Sequence, residues 1–189
     1  MRPPRWMKAT LDSLCTGITG ALLEASSERR RTAGTVRVGV FECDELYTVR
    51  VLPRLKPTHF VLLNLFRDQL DRYGEITHTL NAIREGITHV PDATLCLNAD
   101  CSLTASLAGS VPNKIVWFGV NVPIYKETAH ELSDAPYCIH CKTEYEYDYI
   151  TYGHLGGFRC PKCGYHRQTP QVAVTKVLAT GADSSDIVL

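Results

Sequence analysis

Two CxxC knuckles, Cys138-Ile139-His140-Cys141 and Cys160-Pro161-Lys162-Cys163, stand eighteen residues apart in the last third of the chain. A CxxC turn sets two thiolates on one side of a tight loop, and a second such turn completes a tetrahedral all-sulfur site with metal–sulfur bonds of roughly 2.3 Å. Gly164 follows the second knuckle and can take the positive φ that turns backbone N–H groups toward the sulfurs. The spacing predicts a structural zinc ribbon held by Cys138, Cys141, Cys160 and Cys163. Disulfides would need an oxidising compartment to which nothing else in the sequence points. A redox pair is not expected, because there are two pairs and neither follows a strand and opens a helix. With four cysteines filling the site, His140, His154 and His166 are expected at the surface.

At 189 residues the chain is long enough for one full core and a small appendage. Twenty basic residues balance twenty acidic ones, which gives no global electrostatic reason to expect nucleic acid or an anionic membrane as partner. No apolar run approaches the ~20 residues that span a bilayer. The segment Met1-Arg2-Pro3-Pro4-Arg5-Trp6 is basic but has no following apolar stretch with a small-residue cleavage site. These features predict a cytoplasmic protein with reduced thiols. Cys15, Cys43 and Cys96, in apolar surroundings, are expected to be buried small hydrophobes, and Cys101 a further free thiol.

Helical spacing of Leu11, Leu14, Ile18 and Leu22 predicts a helix from about Leu11 to Ala25, followed by a charged connection containing Glu28-Arg29-Arg30-Arg31. A regular alternation comes next. Val36–Phe41 reads as a strand, Asp44 to Leu52 as a short helix ended by Pro53, and His59–Leu63 as a second strand. Asp68 to about Ile87 reads as mostly helical, Ala93–Leu97 as a third strand, Ser102–Ala108 as a helix and Lys114–Phe118 as a fourth strand. Continuous apolar strands alternating with helices predict an α/β fold, a mostly parallel sheet covered on both faces. Composition changes near Asn121, where Pro123, Pro136 and a tyrosine-rich stretch accompany the cysteines. Gln171–Ala179 and Asp186–Leu189 then alternate in strand fashion about a turn at Gly181-Ala182-Asp183.

Ligands of open α/β sheets sit beyond the carboxyl ends of the strands. There the sequence places Glu42, Asn64 with Asp68, and Asn98 with Asp100. Carboxylate and amide oxygens at one edge suit Mg2+, which commonly bridges to substrate phosphates. Taken singly, Asp44, Asp68 and Asp100 read equally well as caps of the helices that follow. A phosphate-cradling loop needs Gly-Lys-Ser/Thr, and none of the seven lysines follows a glycine.

The run Asn64-Leu65-Phe66-Arg67-Asp68-Gln69-Leu70-Asp71-Arg72-Tyr73-Gly74-Glu75, after Phe41-Glu42-Cys43-Asp44-Glu45 and before Leu97-Asn98-Ala99-Asp100, resembles the central ATPase domain of the Mur ligase superfamily. Gln69 and a four-cysteine insertion after Trp117-Phe118-Gly119 are similar to the amidating branch of that superfamily. The resemblance covers about Leu14 to Leu189. It implies residues 1–13 as an unassigned N-terminus, 14–122 as a partial central domain, 123–168 as the zinc-ribbon insertion and 169–189 as return strands. It also implies ATP-dependent amidation of the D-glutamate α-carboxyl of the lipid II stem peptide to D-isoglutamine. The carboxyl is activated as an acyl phosphate, ammonia comes from a GatD-type glutaminase partner, and lipid II is met at the membrane surface. In the family the glutamate matching Glu42 is a Mg2+ ligand, and the motif holding Asn64 and Asp68 lines the same Mg-ATP edge. With Gln69 where relatives usually carry histidine, no second metal is expected there. The P-loop should lie upstream and a C-terminal domain downstream, so the chain reads as an internal piece without activity of its own and without identified catalytic residues. Folate-glutamate and cyanophycin ligases fit less well because they lack the ribbon.

A zinc-ribbon module that binds protein or nucleic acid is the alternative. Between the knuckles, however, Tyr145, Tyr147, Tyr149 and Tyr152 interleave with Glu144, Glu146 and Asp148, acids that would repel phosphate. Metal binding supplies on the order of 10–16 kcal/mol to a four-cysteine unit, enough to order ~30 residues with little apolar core. The ribbon is therefore expected to be structural and to fold separately from the α/β body.

Overall fold

The computed structural model describes residues 7–9, 38–66, 76–122, 135–181 and 184–189. The expected Leu11–Ala25 helix, Cys15, the charged connection and Asp68 with Gln69 lie outside the described residues. Strand β1 (Met7–Ala9) pairs in parallel with β2 (Gly39–Phe41). Asp44 then caps a 3-10 turn, Glu45–Tyr47, its Oδ1 accepting from the Leu46 N–H at 3.1 Å.

The turn runs into helix α1 (Thr48–Leu55), which continues through Pro53 rather than ending before it. Pro53 lies in the last turn, where its ring costs a single ladder bond. The stop comes at Lys56, which adopts a left-handed φ of 46° and donates its N–H to Leu52 O, with Pro57 next in the chain.

Strand β3 (His59–Leu62), helix α2 (Ile76–Thr88), strand β4 (Thr94–Asn98), the short helix α3 (Ser102–Ala105) with its 3-10 extension Ser106–Ser110, and strand β5 (Ile115–Val120) follow in the predicted alternation. The chain then makes the ribbon hairpin, β6 (Glu146–Tyr152) and β7 (Leu155–Arg159). It returns as β8 (Val172–Val174) and ends in β9 (Lys176–Thr180) and β10 (Ser185–Val188).

Four strands form the main sheet in the order β3-β4-β5-β8, every pair parallel. The chain leaves this sheet after β5 and re-enters it beside β5. β9 and β10 pair antiparallel as a separate two-stranded sheet. Burial explains the order: Leu95 and Leu97 of β4 are fully buried at the centre, against the Leu80, Ile83 and Ile87 stripe of α2.

The ribbon is not a detached appendage. Its own cluster of Cys138, Tyr145, Phe158 and Cys160 includes Ala105 of α3, and Trp117 of β5 packs against both this cluster and the main core. Ile139 and Leu155 reach from the ribbon into the main core. Trp117, Ile139 and Leu155 are partly buried there, so each contributes a fraction of the roughly 1.5–3 kcal/mol that full burial supplies.

Candidate metal centre and sheet edge

The two knuckles repeat one backbone geometry. In the first, Lys142 N–H bonds to Cys138 O at 2.9 Å and Cys138 N–H to Thr143 O at 2.8 Å; in the second, Gly164 N–H bonds to Cys160 O at 3.1 Å and Cys160 N–H to Tyr165 O at 2.7 Å. The residue after each second cysteine is left-handed, with φ of 61° at Lys142 and 74° at Gly164. Glycine takes that conformation freely and lysine does so under strain, so only the second turn was visible in the sequence.

The four sulfurs converge. Cys138 and Cys163 Sγ lie 3.6 Å apart, Cys141 and Cys160 Sγ 3.4 Å, and all four fall within 4.8 Å of one another. A tetrahedron with ~2.3 Å zinc–sulfur bonds has an edge near ~3.8 Å, so the donor set and its spacing fit zinc.

Local electrostatics prepare the thiolates. The Thr143 hydroxyl and N–H bring the Cys141 thiol down to about 6. Burial raises Cys138, yet the N–H groups of Cys141 and His140 outweigh it and leave that thiol lowered. Cys163 receives the Tyr165 N–H, but desolvation and the crowding of the other three sulfurs push it up to about 12. Four sulfurs this close cannot all ionise without a cation among them.

His140 and His166 are exposed as expected, His140 edge-on to the Tyr165 ring at 4.6 Å. His154 is not at the surface. It is 1 % exposed, with Nε2 3.7 Å from Cys101 Sγ and its ring against Phe66. It occupies the tip of the β6–β7 hairpin, and the docking of that hairpin on the body buries it. Cys43 and Cys96 are only half-buried, whereas Cys101, not among those expected inside, is fully buried.

At the carboxyl edge of the main sheet, Asn64 is half-buried just past β3. Asn98 ends β4 and is spent on structure, its Oδ1 accepting from the Asp100 N–H and its carbonyl from the Thr104 hydroxyl. Glu42 follows β2, which ladders to β1 and not to β3, so Glu42 is not carried by the sheet that carries Asn64.

Asp100 does not cap α3 but is buried in an ion pair. Its Oδ1 accepts from Arg167 Nε at 2.6 Å and its Oδ2 from the Val120 N–H at 2.7 Å, while its carbonyl accepts from the Gly156 N–H. Burial raises this carboxyl, with the bonds from Arg167 and Val120 opposing. Arg167 also donates to Asn121 Oδ1 and lies over the Tyr149 ring. Gly119 makes room: a Cβ there would stand 2.9 Å from both Arg167 Nη2 and Asp100 Oδ1. Two tyrosines close the joint, Tyr165 donating to Ser102 O at 2.7 Å and Tyr149 to Val120 O at 3.2 Å. Arg167 escaped sequence reasoning; a lone basic residue four places past a knuckle carries no local pattern.

The chain is similar to known proteins in both sequence and fold. No protein-family model matches the chain. Over 178 residues it is 33 % identical to the MurT subunit of lipid II isoglutaminyl synthase (glutamine-hydrolyzing) from Streptococcus pneumoniae, covering 94 % of this chain and 38 % of that protein. The MurT subunit from Staphylococcus aureus is 31 % identical over 163 residues, 86 % of this chain and 35 % of its own length. A UDP-N-acetylmuramoylalanine–D-glutamate ligase from Rhizobium meliloti is 29 % identical over 80 % of this chain and 32 % of that ligase. Among solved structures, a pseudomurein peptide ligase type C from Methanothermus fervidus superposes with a TM-score of 0.56 at 21 % identity, covering 80 % of this chain and 31 % of that one, which shows a shared fold. The chain thus spans about a third of the length of the curated relatives it matches.

Proposed function

We propose, from a chain whose sequence is MurT-like over 94 % of its length and whose sheet is of Mur ligase type, that it serves as part of a lipid II isoglutaminyl synthase. The reaction is ATP-dependent amidation of the D-glutamate α-carboxyl of the stem peptide, with ammonia delivered by a GatD-type glutaminase. One observation carries the reading: the MurT likeness extends over a Mur-type sheet and a four-cysteine ribbon whose two cores meet at Trp117.

Activation of a carboxylate by phosphoryl transfer calls for Mg2+ to offset charge on the moving phosphate. By the family's pattern Glu42, Asn64 and Asp68 would hold the Mg-ATP edge, with Glu42 contributed from the β1–β2 pair and Asn64 from the end of β3. The ribbon, with zinc on Cys138, Cys141, Cys160 and Cys163, would shape that edge without touching the reacting atoms.

Coexpression with the glutaminase of the same genome tests the proposal. A stable complex that survives size-exclusion chromatography is the expected result; no association under conditions where both chains are folded would count against it. A nucleic-acid module is not favoured. Glu144, Glu146 and Asp148 are exposed along the ribbon, and the nearby Arg159 is engaged by Glu146 at 2.6 Å.

A further inference from the structure

Asn64 sits on a loop with two unequal supports. Leu65 is buried in the main core, whereas Phe66, the next residue, takes its ring contacts among the described residues from the ribbon hairpin. The Phe66 ring meets Tyr152 edge-on at 5.8 Å and His154 at 5.1 Å. Both belong to the hairpin tip, where Tyr152 pairs with Leu155 around Gly153 and His154. His154 also reaches Cys101, and its carbonyl accepts from the Tyr147 hydroxyl at 3.2 Å. Phe66 follows β3, Cys101 follows β4, and these strands are neighbours. The tip is wedged between the carboxyl ends of two adjacent strands.

Tyr152 is 62 % exposed and so adds little to the ribbon's own core. What its ring does touch is Phe66. We infer that the ribbon tip is a prop for the Asn64 loop: Tyr152 and His154 are positioning residues that act through Phe66 to fix Asn64 at the sheet edge. Edge-on aromatic contacts are directional, so the prop fixes orientation as well as distance. The purpose of that positioning rests on the proposed Mg-ATP role of the edge; its existence does not.

Amide hydrogen exchange on the full 189-residue chain tests the prop, since it reads local opening directly. With Tyr152→Ala, amides of residues 63–66 should exchange about tenfold faster, while α2 and both knuckles keep their protection and the zinc content is unchanged. Tyr152→Phe, which retains the ring, should restore the original rates. His154→Ala should accelerate the same amides, and Phe66→Leu gives the matching result from the other side should that variant fold poorly. Unchanged exchange at residues 63–66 in Tyr152→Ala and Phe66→Leu would overturn the inference, as would acceleration spread evenly over the ribbon. Because no ligase activity is read, a negative result here leaves the functional proposal standing, and a failed glutaminase association leaves the prop standing.

Discussion

Arg167 Nε lies 2.6 Å from Asp100 Oδ1, and the two side chains are only 13 % and 3 % exposed. The pair joins the second knuckle of the ribbon to the turn after the central strand β4. Its partners are fixed on both sides, by the Val120 N–H on the carboxylate and by Asn121 and Tyr149 on the guanidinium.

Removing one member of such a pair leaves a buried charge without its counterpart. Arg167→Gln or Asp100→Ala should each cost about 3–5 kcal/mol. The double variant should cost clearly less than the two single effects added together, because no uncompensated charge remains. Chemical denaturation of the four proteins checks this; simple additivity would show that the pair is not coupled.

Cys160→Ser should abolish stoichiometric zinc binding and unfold the ribbon. The body should keep a cooperative transition, because the centre of its core, Leu95, Leu97, Ile83 and Leu80, is supplied by β4 and α2 of the body itself. It should nonetheless melt about 10 °C lower, since Asp100 loses its partner and Trp117 part of its cover. Calorimetry with zinc analysis distinguishes this from a body that melts unchanged, the outcome expected of an independent appendage.

Acid should release the metal. The Cys141 thiol is lowered from 9.0 to about 6, so the stability it contributes is full above 9.0 and is lost as pH falls through about 6. Protons then compete with zinc for the thiolates. Asp100 works in the opposite sense: its raised carboxyl contributes stability that is full below 3.8 and is lost as pH rises through its folded value. Zinc release followed with a colorimetric chelator should therefore increase as the pH is lowered, and zinc retention unchanged through pH 4 would contradict the assignment.

The 189-residue chain should show no Mg2+-dependent ATP hydrolysis, because no lysine in it follows a glycine and the phosphate-cradling loop is missing from the sequence. A coupled assay sensitive to one turnover per hour suffices. Measurable turnover would mean that another element holds the phosphates.

What could be read from the sequence was what spacing alone determines. The cysteine tetrad and the β3–β4–β5 alternation depend on local spacing and appear as expected, and of the two readings open for Asp44 the structure shows the cap. The Asp100–Arg167 pair spans 67 residues and leaves no periodic trace. His154 is expected at the surface, and only the docking of its hairpin buries it. Pro53 was read as a helix breaker, but a proline in a final turn forfeits too little to stop the helix.

The ribbon departs from the sheet at β5 and rejoins it at β8, two strands that are hydrogen-bonded to each other. The two strands run parallel, so the inserted segment carries the chain from the carboxyl end of β5 back to the start of β8, as a crossover and not a tight turn. A plain crossover of about a dozen residues could replace the whole excursion and leave the register of the sheet intact. What such an excision could not leave intact is Asp100: a lineage that lost the ribbon would inherit a carboxylate whose guanidinium partner had gone with it, and an uncharged residue would be selected in its place.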